Sequence, residues 1–328
     1  MSRHDLVVRE QYVPTADGWN LHLKRTISPL HFDPTTQPLL IVPGYGMNSF
    51  IFGYHPKGTS MERCLAEGGY EVWSLNLRSM GHARPLRKRP GAVTLRAYSE
   101  VDVPAAIERV LERTQTTGGE VVTIGCSLGG TILYGYLALR PRDHGVSRVI
   151  AMGAPLRWID THALLRVLFA SPRVAGTLRL SGTRRFARVV APVLQQVPSL
   201  LSMYMNSASI DMAHLPEMTD TVEDPKPRIN REISLWLRSG DLSYGDVNIT
   251  EAVGRVDLPL LVVLSNRDGI VPETTALSVV DAWGGQDVEV LEVGDDEGWY
   301  AHANLFVADD APERVFEPII AWLRRPVG

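Results

Sequence analysis

Glu120-Val121-Val122-Thr123-Ile124-Gly125-Cys126-Ser127-Leu128-Gly129-Gly130 is the stretch whose reading decides the fold. An apolar run of strand length reaches Gly125, and Ser127 to Leu139 reads as a helix despite Gly129 and Gly130. A strand that becomes a helix across so few residues brings the chain on either side of Ser127 into close approach. Glycine is therefore needed at both flanks, Gly125 and Gly129. The serine then stands above the end of a sheet with its hydroxyl exposed, which is the arrangement of a nucleophile elbow.

Outward from this stretch the chain alternates strand and helix. Leu39 to Val42 is a short apolar run that stops at Pro43-Gly44, and Glu71 to Leu75 and Val146 to Met152 are further buried strands. Met61 to Glu67 and Thr94 to Arg113 have apolar residues at helical spacing. Val7 to Val13 and Trp19 to Arg25 are strands joined through Asp17-Gly18. The alternation breaks after Ala154-Pro155. It resumes with the strand Leu260 to Leu264, a helix from Thr274 to Trp283, the strand Val288 to Val293 and a helix from Glu313 to Arg325. The expected class is α/β, a mostly parallel sheet with helices on both faces. Residues 1–155 and 256–328 form the core, and 156–255 form a helical insertion with no convincing strand.

Composition narrows the function. The chain has 328 residues, 45% of them hydrophobic and 21% charged, which is globular composition. Lys plus Arg number 33 and Asp plus Glu 37, for a net charge of −4, and this balance does not point to nucleic acid. The two cysteines, Cys64 and Cys126, exclude a disulfide-dense scaffold, and no spacing suggests a metal site. No run of 18 apolar residues suggests a membrane span, and no apolar stretch of signal-peptide length opens the chain, so a cytoplasmic protein is expected. Between Arg157 and Arg188 there are seven arginines, no lysine and one acid, Asp160. That stretch reads either as a solvated helical face or as a surface attracting an anionic substrate or membrane.

A serine hydroxyl needs a base. With an elbow of this kind the chain order is serine, acid, histidine. Only His302 of the nine histidines lies beyond Leu264. The acid is expected in the loop after Leu260 to Leu264, where Asp268 stands. Asp295 and Asp296 are rivals, but they lie close to His302 along the same loop. Asp268 would hold the imidazole tautomer and stabilise the imidazolium. Pro43-Gly44-Tyr45-Gly46-Met47-Asn48 follows a strand, and Gly44 and Gly46 let it turn sharply. The backbone N–H groups of Tyr45 and Leu128 are the expected donors to a developing oxyanion, each worth about 3–4 kcal/mol in the transition state.

Taken together, these residues resemble the α/β-hydrolase superfamily over nearly the whole chain. Asp17-Gly18-Trp19-Asn20-Leu21, Ala66-Glu67-Gly68-Gly69-Tyr70-Glu71-Val72-Trp73 and Leu77-Arg78-Ser79-Met80-Gly81-His82 are similar to segments of its acid lipase and esterase branch. The resemblance implies a carboxylic-ester hydrolase with a helical cap, working through an acyl-enzyme on Ser127 and needing no cofactor. Two departures stand out. Pro43-Gly44 occupies the place of the family's usual His-Gly, whose histidine is structural in the oxyanion loop. Cys126 precedes the serine rather than replacing it, and reads as a small buried residue.

Alternatives on the same three residues are an acyltransferase or thioesterase, and an amidase or peptidase. Epoxide hydrolase and dehalogenase readings are disfavoured, because those relatives carry aspartate at the elbow. A catalytically dead binding scaffold is the alternative from another class. The insertion is apolar at Leu164-Leu165, Val167-Leu168-Phe169, Val189-Val190 and Val193-Leu194, followed by Leu200, Leu201, Met203, Tyr204, Met205, Met212 and Met218. Met203, Met205 and Met212 are candidates to line an acyl pocket, since methionine adapts to varied chains. The expected partner is a small ester with an apolar acyl chain.

Overall fold

A computed structural model of the chain describes residues 6–177, 179, 181–196 and 201–326. Leu200 and the side chain of Leu194, both counted in the apolar pattern above, lie outside the described residues. In chain order the strands are β1 (Val7–Pro14), β2 (Trp19–Ile27), β3 (Leu39–Val42), β4 (Val72–Asn76), β5 (Arg84–Pro85), β6 (Val121–Cys126), β7 (Val146–Met152), β8 (Ser243–Tyr244), β9 (Val247–Asn248), β10 (Leu260–Ser265) and β11 (Val288–Val293). Nine of these form one sheet in the spatial order β1-β2-β4-β3-β6-β7-β10-β11, with β5 beside β2. The pairs made by β2 are antiparallel. From β4 to β11 every neighbouring pair is parallel.

The short apolar runs make this sheet because both faces of each central strand are covered. Side chains alternate between two cores. In β3, Leu40 and Val42 enter one core while Leu39 and Ile41 enter the other. In β10, Leu260, Val262 and Leu264 face the first core and Leu261 and Val263 the second. Helices Val103–Arg113 and Leu128–Leu139 cover the first side, and Met61–Glu67 and Glu317–Leu323 the second. Parallel strands send all their outgoing loops to one end of the sheet, where ligands bind in folds of this class.

Three helices differ from the sequence expectation. Thr94 to Arg113 begins as a short helix, Leu95–Ala97, widens to a π-type turn at Tyr98–Asp102 and only then runs as Val103–Arg113. The Val103 N–H reaches back five residues to the Tyr98 carbonyl, and Pro104 has no N–H to continue the ladder. The last helix does the same: Pro312–Phe316 is π-type, and Pro318 follows the switch into Glu317–Leu323. Thr274 to Trp283 shortens to Glu273–Ala276 with a 3-10 turn at Leu277–Val279.

Among the described residues, the segment between β7 and β10 adds no strand to the main sheet. It holds helices Ala163–Leu168, Pro172–Ala175, Thr183–Gln196, Leu215–Met218, Pro227–Ser239 and Ile249–Ala252. Contrary to expectation it also contains strands, the two-residue hairpin β8–β9. Two-residue strands are too short to leave a periodic signal in sequence.

Candidate active site

Ser127 follows β6 with φ 54° and ψ −127°, a conformation that costs a non-glycine residue about 1–3 kcal/mol. The surroundings hold it there. A Cβ at Gly125 would come within 2.3 Å of the Gly130 Cα, and one at Gly129 within 2.1 Å of the Val42 carbonyl oxygen. The two glycines are thus required by space, not by backbone angle. Cys126 is fully buried and its thiol is pushed well up by that burial, so it is inert.

His302 and Asp268 meet from separate loops. His302 Nδ1 is 2.6 Å from Asp268 Oδ2. The other carboxylate oxygen, Oδ1, accepts the N–H groups of Ile270 and Val271, each at 2.8 Å. Both residues are buried. Their loops are zipped together: the Tyr300 N–H donates to Asn266 Oδ1, the Arg267 N–H to the Tyr300 carbonyl, and the Ser265 hydroxyl to the Ala301 carbonyl. The rival Asp295 is exposed and bonded to Arg314 and to the Gly298 N–H, which hold its carboxyl below the usual range. Asp296 is exposed as well.

Ser127 and His302 together line two cavities. The larger, about 380 Å3, is bounded by Leu128, Trp158, Leu165, Phe169, Ile233 and Ile270 among others. The smaller, about 180 Å3, is bounded by Ile51, Ala191, Met205, Met218 and Phe306 among others. Met47, Tyr204, Thr221 and Val222 border both. Among the described residues no Asp, Glu, Lys or Arg lines either cavity.

Of the three methionines singled out in the insertion, Met205 lines the smaller cavity. Met203 lines neither. It lies on the acid loop, where its carbonyl accepts the Gly269 N–H at 3.1 Å. Met212 also lines neither, and packs against the second core. Pattern alone could not separate them, because irregular segments rotate side chains without a fixed period. Helix Ala163–Leu168 is similar: Leu165 and Leu168 border the larger cavity, Leu168 while still exposed, whereas Leu164 and Val167 are exposed and border neither.

The loop after β3 packs under the serine. A Cβ at Gly44 would lie 2.8 Å from Ser127 Cβ and 2.9 Å from the Cys126 carbonyl oxygen. Gly46 instead has φ +62°, and a Cβ there would make only an ordinary 3.6 Å contact with the Glu223 carbonyl oxygen, so these two glycines serve for different reasons. Tyr45 borders the larger cavity, and its hydroxyl donates to Asn230 Oδ1 at 2.6 Å. Burial raises that phenol to about 12. Among the described residues no protein acceptor takes the Tyr45 N–H. Leu128 is the first residue of its helix, so its N–H has no carbonyl one turn back.

Sequence reading missed several residues of this region. Gly153, with φ +54°, follows β7 and leaves room for the His302 ring. Asn304 Oδ1 accepts the N–H groups of Asn206 and Ala301, fixing the insertion to the histidine loop. Three of the seven arginines, Arg157, Arg184 and Arg188, pair with Asp241, Glu223 and Asp220. Among the described residues no cluster of His, Cys, Asp or Glu could hold a metal ion, and no helix is long and apolar enough to cross a membrane.

Comparison with known proteins places this architecture. No curated protein matches the chain in sequence. A thermophilic esterase from Thermogutta terrifontis superposes with a TM-score of 0.65 at 16% identity, over 96% of this chain and 98% of that one. A soluble variant of monoglyceride lipase from Saccharomyces cerevisiae gives 0.67 at 16% identity, over 99% and 97%. An enol-lactonase from Burkholderia xenovorans gives 0.63 at 13% identity, over 95% and 100%. At such identity the likeness is one of fold. The model of the family described as alpha/beta hydrolase fold matches residues 37–297, a span that takes in Ser127 and Asp268 and stops short of His302. The chain belongs to the alpha/beta hydrolase fold family.

Proposed function

We propose that the protein hydrolyses carboxylic esters with apolar substituents, through Ser127, His302 and Asp268. The observation that carries this reading is the 2.6 Å contact of His302 with Asp268 beside two uncharged cavities that His302 and Ser127 share. With Nδ1–H donating to Asp268, Nε2 of the neutral ring is free to accept the Ser127 proton as Oγ attacks the ester carbonyl. Asp268 stabilises the resulting imidazolium and stays oriented by the Ile270 and Val271 amides. The N–H groups of Tyr45 and Leu128 take the oxyanion. The Nε2 proton passes to the departing alkoxide, leaving an acyl-enzyme on Ser127. Water, deprotonated by His302, then releases the acid and restores the serine.

In this reading residues 156–255 act as a cap over the core, and they supply most of the apolar lining. The esterase, lipase and lactonase named above support ester chemistry as the first choice. A thioesterase or acyltransferase would use the same residues. Among the described residues neither cavity has an Asp, Glu, Lys or Arg in its lining, which argues against a phosphorylated carrier lying within them.

A panel of p-nitrophenyl esters of increasing acyl length, with thioester and amide substrates beside it, tests the proposal. Hydrolysis of esters by the wild type and its loss in Ser127→Ala, together with fluorophosphonate labelling of the wild type alone, is the expected result. Undiminished ester hydrolysis by Ser127→Ala would overturn it.

A further inference from the structure

The loop carrying Tyr45 lies between two bodies. On one side Gly44 packs against Ser127 and Cys126. On the other, each residue from Tyr45 to Asn48 is tied to the insertion. The Tyr45 hydroxyl reaches Asn230, the Gly46 carbonyl accepts the Glu223 N–H at 2.8 Å, and Met47 forms an antiparallel bridge with Val222. The Asn48 N–H donates to the Thr221 carbonyl at 2.9 Å, and the Thr221 hydroxyl donates back to the Asn48 carbonyl at 3.2 Å.

Glu223 is the hub of this seam. Its Oε1 accepts from Asn48 Nδ2 at 2.7 Å, from Arg184 Nη2 at 2.8 Å and from the Gly81 N–H at 3.1 Å. Those three donors come from the loop after β3, from helix Thr183–Gln196 and from the loop after β4. One carboxylate oxygen thus fastens two core loops and an insertion helix. The Glu223 side chain is only 17% exposed, so its bonds to charged and amide donors face little competition from water.

We infer that Glu223 is a positioning residue for the reaction: it clamps the Tyr45 loop from the insertion side and so fixes the N–H that receives the oxyanion. This rests on the ester-hydrolase reading and extends it, because the insertion then contributes to the chemical step and not only to selectivity. A donor misplaced by a fraction of an ångström loses transition-state stabilisation while the ground-state ester, held by the apolar cavities, binds much as before.

The test compares Glu223→Ala and Glu223→Gln with the wild type on p-nitrophenyl acetate and p-nitrophenyl octanoate, after thermal melts establish that each variant folds. Glu223→Ala is expected to lower kcat by about 10- to 100-fold on both esters, with KM changed by no more than about threefold. Glu223→Gln keeps an acceptor oxygen for Asn48 and Gly81 and should recover most of the loss. An unchanged kcat, or a loss confined to the octanoate, would overturn the inference. If Glu223→Ala does not fold, Thr221→Val, which removes one hydroxyl of the same seam, carries the test: a lower kcat at constant KM supports the clamp and an unchanged kcat overturns it. Ser127→Ala is assayed in parallel. An inactive Ser127→Ala with a fully active Glu223→Ala sinks this inference alone, whereas an active Ser127→Ala sinks the ester-hydrolase reading beneath it.

Discussion

Gly153 leaves the space that His302 fills: a Cβ built on Gly153 would stand 3.0 Å from ring Cε1 and 3.2 Å from Nδ1. The same Cβ would lie 3.5 Å from Asp268 Oδ2. The strand β7, which supplies no reacting group, therefore limits where the His302–Asp268 contact can form.

Gly153→Ala meets both this crowding and a φ of +54°. We expect a stability loss of about 1–2 kcal/mol from the backbone alone. The displaced ring should lower kcat by about tenfold or more. Melting temperature and ester turnover measured together check this, and an alanine variant with normal turnover would show that the ring has room to spare.

Asp268→Asn should lower kcat by about 10³–10⁴-fold with little loss of stability. The amide oxygen can still accept from Ile270 and Val271, but the amide nitrogen would then face Nδ1 and drive the ring to the tautomer with its proton on Nε2. That tautomer cannot take a proton from serine. Activity within tenfold of wild type would remove Asp268 from the mechanism.

Gly44→Ala and Tyr45→Phe should separate backbone from side chain. The first drives a methyl group against the Cys126 carbonyl and Ser127 and should cut kcat by at least about 10²-fold. The second keeps the N–H and should leave kcat nearly intact. It strands the buried Asn230 oxygen and lowers stability by about 1–3 kcal/mol. A large kcat loss in Tyr45→Phe at normal stability would assign the phenol a direct role.

Filling the two cavities should affect the two halves of the ester separately. Under the proposed ester hydrolysis, the acyl chain is expected in the larger cavity on volume. Ile233→Trp should then depress kcat/KM for long acyl chains and spare acetate, by about 1–3 kcal/mol at most per methylene excluded. Met205→Trp should discriminate instead among alcohol groups. Equal losses on every ester from both variants would mean that neither cavity selects substrate.

Arg78 is wholly buried between Asp102 and Asp17, at 2.7 and 2.6 Å, and these acids raise its pKa further. Arg78→Met should cost about 3–5 kcal/mol, because Asp102 is left buried without its cation. Pairing it with Asp102→Leu should recover part of that loss in thermal melts, since no charge then remains at the Asp102 position.

The sequence by itself determined the sheet and the elbow. Short apolar runs such as Leu260 to Leu264 fit strands buried on both faces of a covered parallel sheet, and Gly125-Cys126-Ser127-Leu128-Gly129 between a strand and a helix reads as a tight strand-to-helix turn. Those are local constraints, readable from residue type and spacing. It also offered Ser127 from the elbow, and Asp268 and His302 from chain order, as candidates; β6, β10 and β11 belong to one run of parallel strands, so the loops that carry these residues leave the same end of the sheet. Helix interiors were less legible, because Pro104 and Pro318 change the hydrogen-bond spacing without interrupting the apolar pattern. The insertion was least legible. Whether Met203, Met205 or Met212 borders a cavity depends on how irregular segments dock, and only Met205 does. The roles of Gly153, Asn230 and Glu223 are invisible in sequence for the same reason. Each acts across a gap of many residues on a group that the chain places beside it only after the sheet, the loops and the insertion have packed together.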